Sequence, residues 1–343
     1  MRILPKFCIR SLPPTSPKGK ALVIFLLGAM LCVAAALSLR CGSQDYSLAQ
    51  LLDALRQGEG APWRILVHVR FPRTLAALLA GSALALAGAL MQAVLNNAMA
   101  SPNVIGINAG AGFGAMLVSC LLPAAGLLPA ASFLGAFGAA LFIYALARRA
   151  GLSRTTLILA GLAVSSVLTA LVNLLTLLYP DTVMGATGFL LGGFSGVTLA
   201  VVRGAAVYLA AGAALCVVLA GDLNVLQLGE ESAASLGLHV ERVRLVSVLS
   251  AALLAGGAVS FSGLLGFVGL LVPHMARRLV GGDNRWLLSA SALLGGSFVL
   301  LCDVLARVLF APFELPVGIV MSLLGGPFFL YLLLHRRGGR VYA

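Results

Sequence analysis

The stretch ALLAGSALALAGAL, residues 77–90, decides the fold class because it is almost wholly apolar and returns later in the chain. Residues 252–265 read ALLAGGAVSFSGLL, and the two stretches agree at eight of fourteen positions. Both copies contain small residues, namely Gly81, Ala85, Gly88, Gly256 and Gly263. Small residues let helices approach one another closely inside a membrane. The pair therefore predicts two related halves built from packed membrane helices.

The composition of the whole chain fits this interpretation. Of 343 residues, 60% are hydrophobic and 10% are charged, and the mean hydropathy is +1.05. Water-soluble domains contain about 25% charged residues. The six cysteines are scattered without a C-x-x-C pair, so neither a disulfide framework nor a metal site is indicated. The composition predicts a polytopic helical membrane protein.

Ten apolar runs approach the length of about 20 residues that a membrane-crossing helix needs. They are residues 21–39, 74–95, 104–122, 126–147, 155–178, 197–220, 244–263, 266–280, 287–310 and 317–334. The eighth run is short and contains Pro273, which suggests a broken helix. We predict an all-α fold with an inverted internal repeat, in which spans 2–5 correspond to spans 7–10, because the two copies cross the membrane in opposite directions.

Charge predicts the topology and the division of the chain. Sixteen of the 23 basic residues fall in the two tails and in the loops on the same side, which the positive-inside rule assigns to the cytoplasm. We predict a cytoplasmic N-terminal tail over 1–20, a transmembrane domain over 21–334 and a cytoplasmic C-terminal tail over 335–343. The first apolar run ends without a cleavage signal, so it is interpreted as a retained helix.

Three arginines are expected on the outer side, against the general bias. The stretch HVRFPRTLAALLAG, residues 68–81, puts Arg70 and Arg73 at the threshold of the second span, and Arg307 lies near the outer end of the ninth. They either snorkel to lipid headgroups and balance acids of the same loop or form a docking site for an acidic partner. The acids of that loop are Asp45, Asp53 and Glu59.

Asp303 is the best candidate for a carboxylate inside the membrane. Arg307 follows it by four residues, a spacing that favours an ion pair on one helix face. A buried acid of this kind can serve proton-driven transport, but pairing would neutralise it. An ion-coupled secondary transporter is therefore kept as an alternative with little support.

One inner segment, residues 221–244 (GDLNVLQLGEESAASLGLHVERVR), contains four of the eleven acidic residues. Glu230 and Glu231 suit the start of a short helix, and Gly237 suits its end. An apolar face would consist of Leu228, Ala233 and Leu236. Such a helix either rests at the membrane interface or docks on a cytosolic partner.

Two kinds of enzyme chemistry find little support. All three lysines lie in the first twenty residues, so no G-x-x-x-x-G-K-[ST] phosphate loop exists in the transmembrane domain. Residues 193–196 (GFSG) match a pattern of intramembrane serine proteases, with Ser195 as nucleophile and His274 as base. This is a distant alternative, because four residues in a glycine-rich chain are weak evidence.

Ordered motifs over residues 64–337 resemble the FecCD-type permease subunits of ATP-binding-cassette (ABC) importers for iron chelates, haem and cobalamin. They are RFPRTLAALLAGSALALAGALMQ, NNAMASPNVIGINAGAGFGAML, LGEESAASLGLHVERVR, GLLGFVGLLVPHMARRLVGGDNR and ELPVGIVMSLLGGPFFLYLLLHRR. The chain departs from the family's usual N-P-L-A at Asn97–Ala100, where it reads NAMA. The resemblance implies a ten-helix, non-enzymatic transport subunit of the bacterial inner membrane.

The resemblance also implies partners and residue roles. The partners are a second permease copy, two cytoplasmic ATPase subunits that use ATP and Mg²⁺, and an extracytoplasmic binding protein; no cofactor is expected in this chain. Binding-protein docking would fall to Arg70, Arg73 and Arg307. Coupling to the ATPase, in the loop 222–240, would fall to Leu228, Gly229, Glu230, Ala233, Leu236 and Gly237.

A path for a large chelate should be lined by small or weakly polar side chains. On that argument the second, fifth and tenth spans are nominated, with the candidates Gly81, Ser165, Ser166, Thr169 and Asn173. Interhelical hydrogen bonding is an equal explanation for the hydroxyl groups. The predicted function is ATP-driven import of an iron chelate, a siderophore by preference, by alternating access; haem and cobalamin remain alternatives.

Overall fold

The computed structural model describes residues 16–42, 46, 50, 53, 56, 58–122, 126–151, 153–311 and 313–334. Every regular element in these ranges is helical. The helices are α1 (Pro17–Arg40), α2 (Gly60–Val94), α3 (Ile107–Leu121), α4 (Leu128–Arg149), α5 (Arg154–Leu178), α6 (Pro180–Leu191), α7 (Leu199–Leu226), α8 (Glu230–Ser235), α9 (Val240–Ser262), α10 (Val268–Val280), α11 (Asn284–Val308) and α12 (Val317–Leu334). Most of the two predicted tails lies outside the described residues.

The all-helical membrane fold is confirmed. Seven of the described helices are long and apolar enough to cross a bilayer, namely α1, α2, α4, α5, α7, α9 and α11, and α3 and α12 are shorter apolar helices. The eighth predicted span is α10, whose 13 residues extend only about 20 Å at 1.5 Å per residue. A hydrocarbon core of about 30 Å is too thick for it to cross unaided.

The expected break at Pro273 is wrong. Helix α10 continues through Pro273, and the irregular backbone lies before it, between α9 and α10. Phe267, the residue preceding α10, has a left-handed φ of 64°, and Gly263 has a φ of 66°. The direction of the chain therefore changes at Gly263–Phe267. Glycine adopts a positive φ without steric strain, so only Phe267 bears a conformational cost there.

Helix α2 begins much earlier than residue 74, the predicted start of the second span. It runs without interruption from Gly60 and includes a π-helical turn, Leu66–Arg70, immediately before Pro72. A proline inside a helix lacks an N–H and clashes with the carbonyl group four residues before it, and the wider π turn accommodates the ring. Arg70 and Arg73 therefore lie within a helix rather than in a loop.

Helix α6 was not predicted, because the sequence between the fifth and sixth spans resembled a loop. Its end is tied to two other helices by backbone hydrogen bonds. Gly193 N–H donates to Ser262 O (2.7 Å) and Leu264 N–H donates to Phe189 O (3.0 Å), which joins α6 to the end of α9. Gly318 N–H donates to Gly192 O (3.1 Å), which joins α6 to the first turn of α12.

The packing follows the predicted repeat. Helices α2–α5 form one half and α9–α12 form the other. In the repeat, α2 corresponds to α9 and α4 corresponds to α11. Helix α2 packs on α11, and α9 packs closely on α4 in the same way. Helix α3 packs on α4 as α10 packs on α11, and α2 and α9 meet at the centre.

Glycines bring the backbones of these helices together, as expected for Gly81 and Gly88. A Cβ atom on Gly81 would overlap the carbonyl oxygen of Gly295 in α11, and one on Gly88 would overlap that of Gly269 in α10. Gly256 is less crowded, since a Cβ there would lie 3.3 Å from the Ala136 side chain. Gly81 is thus a packing residue between α2 and α11.

The turn that lacks the family's proline still closes through its asparagine. Met99 N–H donates to the Asn97 side-chain oxygen (2.9 Å), and Ala100 N–H donates to Asn97 O (3.0 Å). An asparagine side chain that bonds the backbone two residues on is a recognised substitute for a backbone turn. A short 3₁₀ helix, Pro102–Ile105, then leads into α3.

Candidate docking and coupling sites

Asp303 is the centre of a buried ionic cluster between α2 and α11. Its carboxylate accepts from Arg73 Nε at 3.0 and 3.2 Å and pairs with Arg73 Nη2 at 3.0 Å. It also pairs with Arg307 Nη2 at 3.0 Å, so the predicted pair four residues apart is confirmed. The Asp303 side chain is fully buried. One buried carboxylate thus serves two guanidinium groups from different helices.

Glu314 supplies the second acid of this cluster and was not foreseen. It lies in the connection between α11 and α12, and its Oε2 atom is 2.5 Å from Arg73 Nη1. Its side chain is 30% exposed, in contrast to that of Asp303. Nothing in the local sequence links residue 314 to residue 73, so only the fold reveals the contact.

Arg307 and Arg70 also donate to the C-terminal end of α1. Arg307 Nη1 donates to Cys41 O (2.7 Å) and Ser38 O (3.2 Å). Arg70 Nη1 donates to Arg40 O (2.6 Å) and Leu39 O (3.0 Å). The last carbonyl groups of a helix have no partner within the helix and carry partial negative charge, so cations stabilise them.

The three arginines proposed for docking therefore meet at one end of the bundle, which we call the arginine end. They are not freely exposed, because Arg70, Arg73 and Arg307 retain only 3%, 6% and 2% of their accessible surface. Neither Asp53 nor Glu59 is their acid partner here; Asp45 lies outside the described residues. Among the described residues, Arg73 and Arg307 pair with Asp303, Arg73 also pairs with Glu314, and Arg70 bonds the end of α1. Exposed basic residues near this end are Arg40, Arg64 and Arg203.

The opposite end, which we call the loop end, contains α8. The predicted short helix is confirmed over Glu230–Ser235, flanked by Gly229 (φ 105°) and Gly237 (φ 85°). Both glycines adopt backbone angles that other residues rarely tolerate. Glu230 forms an ion pair with Arg244 in the first turns of α9. This pair fixes the short helix to a long helix of the bundle.

The apolar residues of this segment divide into an anchor and an exposed pair. Ala233 is fully buried, whereas Leu228 and Leu236 are 64% and 67% exposed. A rigidly held helix that exposes two leucines has the character of a protein-binding surface. The exposed pair suits contact with the membrane interface or with a protein partner, the two interpretations of the segment.

A polar joint ties the segment before α8 to α11. Asn224, near the end of α7, donates from Nδ2 to Asp283 Oδ1 (2.8 Å) and accepts from the Asn284 backbone N–H (2.8 Å). Burial alone would raise the pKa of Asp283. The hydrogen bonds from Asn224 and the Arg285 N–H, together with the charges of Lys20 and Arg285, outweigh burial and hold that pKa below its ordinary value. Sequence reasoning missed this joint.

The path candidates on α5 form an exposed polar line. Ser166, Thr169 and Asn173 are exposed and recur at intervals of three and four residues, so they share a helix face, while Ser165 is half-buried. Ser166 Oγ donates to Leu162 O in its own helix (2.9 Å) rather than to a neighbouring helix. Gly81 is separate from this line, since it lies in the α2–α11 contact.

Comparison with known proteins identifies the family. The model of the FecCD transport family matches residues 27–335. The chain belongs to the FecCD transport family. The Fe(3+)-citrate import system permease protein YfmE of Bacillus subtilis is 35% identical, over 92% of this chain and 96% of that protein. The hemin transport system permease protein HmuU of Yersinia pestis is 36% identical, over 82% and 86% of the two chains.

A solved structure supports the same assignment for this FecCD protein. It is described as an inward-facing conformation of a metal-chelate type ABC transporter, and it superposes with a TM-score of 0.83 at 29% sequence identity. The match covers 92% of this chain and 99% of that one. The chain is thus a multi-pass permease subunit of the ABC importer class, which excludes the ion-coupled alternative.

FecCD membership and geometry both argue against the protease alternative. Ser195 lies between α6 and α7, where the backbone of Gly193 contacts the end of α9 at the arginine end. His274 instead lines a small pocket of about 30 Å³ with Ala98 and Met99, which follow the loop end of α2. The serine and the histidine belong to opposite ends of the bundle and do not form a catalytic pair.

Proposed function

We propose that this permease moves a ferric chelate of the siderophore class across the bacterial inner membrane into the cytoplasm. The names of its relatives support this substrate class, since YfmE is assigned to Fe(3+)-citrate and another Bacillus subtilis relative, FhuB, to iron(3+)-hydroxamate. HmuU, assigned to hemin, favours haem as the second candidate. Cobalamin is a further alternative through the resemblance of the motifs.

We propose that two separate ATPase subunits drive the transport from the loop end, using ATP and Mg²⁺. The observation that carries this proposal is the rigidly anchored α8 with its exposed Leu228 and Leu236. Gly229 and Gly237 shape the segment, Glu230 anchors it through Arg244, and Ala233 packs it inward. This assignment puts the loop end, and with it both chain termini, in the cytoplasm, in agreement with the excess of basic residues on that side.

The transport path is proposed to form between two copies of the chain, facing α5. The polar line of Ser166, Thr169 and Asn173 supports this, because polar side chains in a spanning helix usually face protein or a water-filled cavity rather than lipid. Ser165 would contribute from the edge of that face. Gly81 would act indirectly, by setting the approach of α2 and α11.

The arginine end is proposed to receive an acidic binding protein through Arg70, Arg73 and Arg307. Their convergence at one end of the bundle, with the partly exposed Glu314 beside Arg73, supports the proposal. Guanidinium groups form strong, geometrically defined pairs with carboxylates. Since all three are buried and bonded to their own chain, a partner reaches them only if part of the internal bonding is given up.

The proposal is tested with the permease co-purified with its ATPase subunits and reconstituted in proteoliposomes. We expect ATP-dependent, vanadate-sensitive uptake of ⁵⁵Fe-labelled ferric citrate or a ferric hydroxamate. Hemin and cobalamin serve as competing cargoes. Preferential uptake of either would replace the proposed substrate, and transport that persists without ATPase subunits would contradict the energy source.

A further inference from the structure

We propose that Glu314 is an internal competitor for the docking partner, and that a carboxylate of the partner takes its place on Arg73. The inference rests on the proposed docking function of the arginine end. It assigns a role to a residue that the docking proposal itself does not use. It also explains how a buried arginine can serve an external partner.

The two acids of the cluster differ in how firmly they are held. Asp303 is fully buried, and its carboxylate bonds both Arg73 and Arg307. Glu314 is 30% exposed and is bonded to Arg73 through one oxygen atom. Removing an acid from the interior leaves buried charges behind, whereas an acid at the rim is replaced by solvent or by another carboxylate at small cost. Glu314 is therefore the exchangeable acid.

The guanidinium of Arg73 presents its two sides to the two acids. Nε and Nη2 form the side that faces Asp303, and Nη1 faces Glu314. A guanidinium offers several donors in a fixed fork, so one side can change partner while the other keeps its bonds. An incoming carboxylate meets the Nη1 side from the surface and leaves the Asp303 pair in place.

Release of Glu314 would act on α12. Glu314 lies three residues before Val317, where α12 begins, and the adjacent Leu315 N–H is bonded to Ala306 O of α11 (3.1 Å). Losing the Arg73 contact removes the tie between this connection and α2 and leaves the Leu315 bond to α11 as its remaining anchor among the described residues. Docking would thus loosen the entry to α12, a helix proposed to line the transport path.

The test uses the importer with its ATPase subunits in nanodiscs, measured with and without its substrate-binding protein. Glu314→Gln is compared with Glu59→Gln, which removes the same charge from an exposed acid beside the start of α2. We expect Glu314→Gln to tighten binding of that protein by about fivefold to tenfold, as for loss of one competing charge-assisted hydrogen bond. It should also raise ATPase activity without the binding protein, and Glu59→Gln should change both by less than about twofold.

Equal effects of the two substitutions would overturn the inference. If the Glu314→Gln importer fails to assemble, Glu314→Asp is used instead, because it keeps the charge but shortens the side chain that reaches Arg73. We expect this variant to bind the substrate-binding protein more tightly than the wild type, but by less than about fivefold. An affinity equal to that of the wild type would count against the proposal. Failure of the wild-type importer to bind the protein at the arginine end would instead refute the docking function itself, and the inference with it.

Discussion

Among individual residues, the three arginines proposed for docking are buried within the protein rather than exposed on its surface. Arg73, Arg307 and Asp303 form a cluster that joins α2 to α11, and Arg70 and Arg307 close the carbonyl end of α1. These contacts stabilise the fold whether or not a partner binds. A loss of transport on mutating these arginines therefore needs a test of folding before it is attributed to docking.

We predict that Asp303→Asn destabilises the permease strongly. It removes the shared counter-charge of two buried guanidinium groups, a change that costs about 3–5 kcal/mol in buried pairs. The measurement is thermal unfolding of the purified protein in detergent. Asp181→Asn, at an exposed position in the first turn of α6, is the control and should shift the midpoint little. Equal sensitivity at both positions would contradict a structural role of the cluster.

The sequence predicted the Asp303–Arg307 pair because both residues lie on one helix at a spacing of four. It did not predict that Arg73 and Glu314 join them, since Arg73 is 230 residues from Asp303 and 241 from Glu314 in the chain, and only the packing of α2 on α11 brings them together. The exposure of Arg70 was also misjudged, because the π turn that continues α2 through Pro72 has no clear sequence signal. Local spacing was informative and long-range pairing was not.

At the scale of the element, glycines set the distances between helices. The α2–α10 contact depends on Gly88, whose missing side chain lets the backbone of Gly269 approach. The repeat in the sequence identified this glycine, but its counterpart Gly263 ends α9 in a left-handed turn instead. Equivalent positions in the two halves thus serve packing in one and chain reversal in the other.

Gly88→Ala should destabilise the permease by about 1–3 kcal/mol, the usual range for overpacking. The new methyl group overlaps backbone, which cannot move aside as a side chain does. Gly138→Ala is the matched control, because a Cβ there has no neighbour within 4 Å and alanine favours a helix. Thermal unfolding midpoints of the two variants should move in opposite directions. A tolerated Gly88→Ala would disprove the close contact.

The short helix α8 provides the second test at this scale. Glu230→Gln removes the charge that faces Arg244 and loosens the attachment of α8 to α9, so ATP hydrolysis should continue while transport per ATP falls severalfold. The measurement is the ratio of ⁵⁵Fe uptake to phosphate release in proteoliposomes. Glu231→Gln, an exposed acid on the same helix, is the control and should keep the ratio. If the two variants gave the same ratio of uptake to phosphate release, the Glu230–Arg244 ion pair would have no role in coupling.

At the scale of the whole molecule, the distribution of exposed residues indicates which surfaces face another protein. Helix α5 exposes Ser166, Thr169 and Asn173, whereas α7 exposes Val217 and Val218. Helix α5 also exposes apolar side chains such as Leu162 and Leu177, so lipid suits the α7 surface and is unfavourable only for the polar line of α5. The sequence predicted α5 as a path helix from its hydroxyl and amide groups, and the structure adds that they share one uncovered face.

We predict that a single cysteine at Asn173 is crosslinked to a second copy of the permease, in a variant without the six native cysteines. A dimer that covers the polar face of α5 would bring the two positions near the common axis. The measurement is dimer formation with a short bifunctional thiol reagent in membranes. Val217→Cys, on the apolar face of α7, should stay monomeric under the same conditions. Crosslinking at residue 217 alone would reverse the assignment of the two faces.

The order of the apolar helices could be predicted from the sequence, because apolar runs and basic loops follow directly from the cost of charge in lipid. Of the ten predicted spans, seven are described helices long enough to cross a bilayer, and α3, α10 and α12 are shorter. Helix α6, the shortness of α10 and the joint between Asn224 and Asp283 could not be predicted. Each depends on backbone or side-chain hydrogen bonds to an element far away in the chain. The local sequence predicts a loop or a longer span there, because it does not show these bonds.

The π turn of α2 accommodates one extra residue between Gly60 and the arginines. The Phe71 N–H bonds to Leu66 O, five residues back, so this turn holds one residue more than an α-helical turn. Deleting Val69 would let the ordinary spacing of four form and would leave Arg70, Pro72, Arg73 and the helix beyond them in register with α11, but the Pro72 ring would then crowd the carbonyl group four residues before it. At the arginine end of the permease, the wider turn thus absorbs both the extra residue and the proline ring while the buried ionic cluster keeps its alignment.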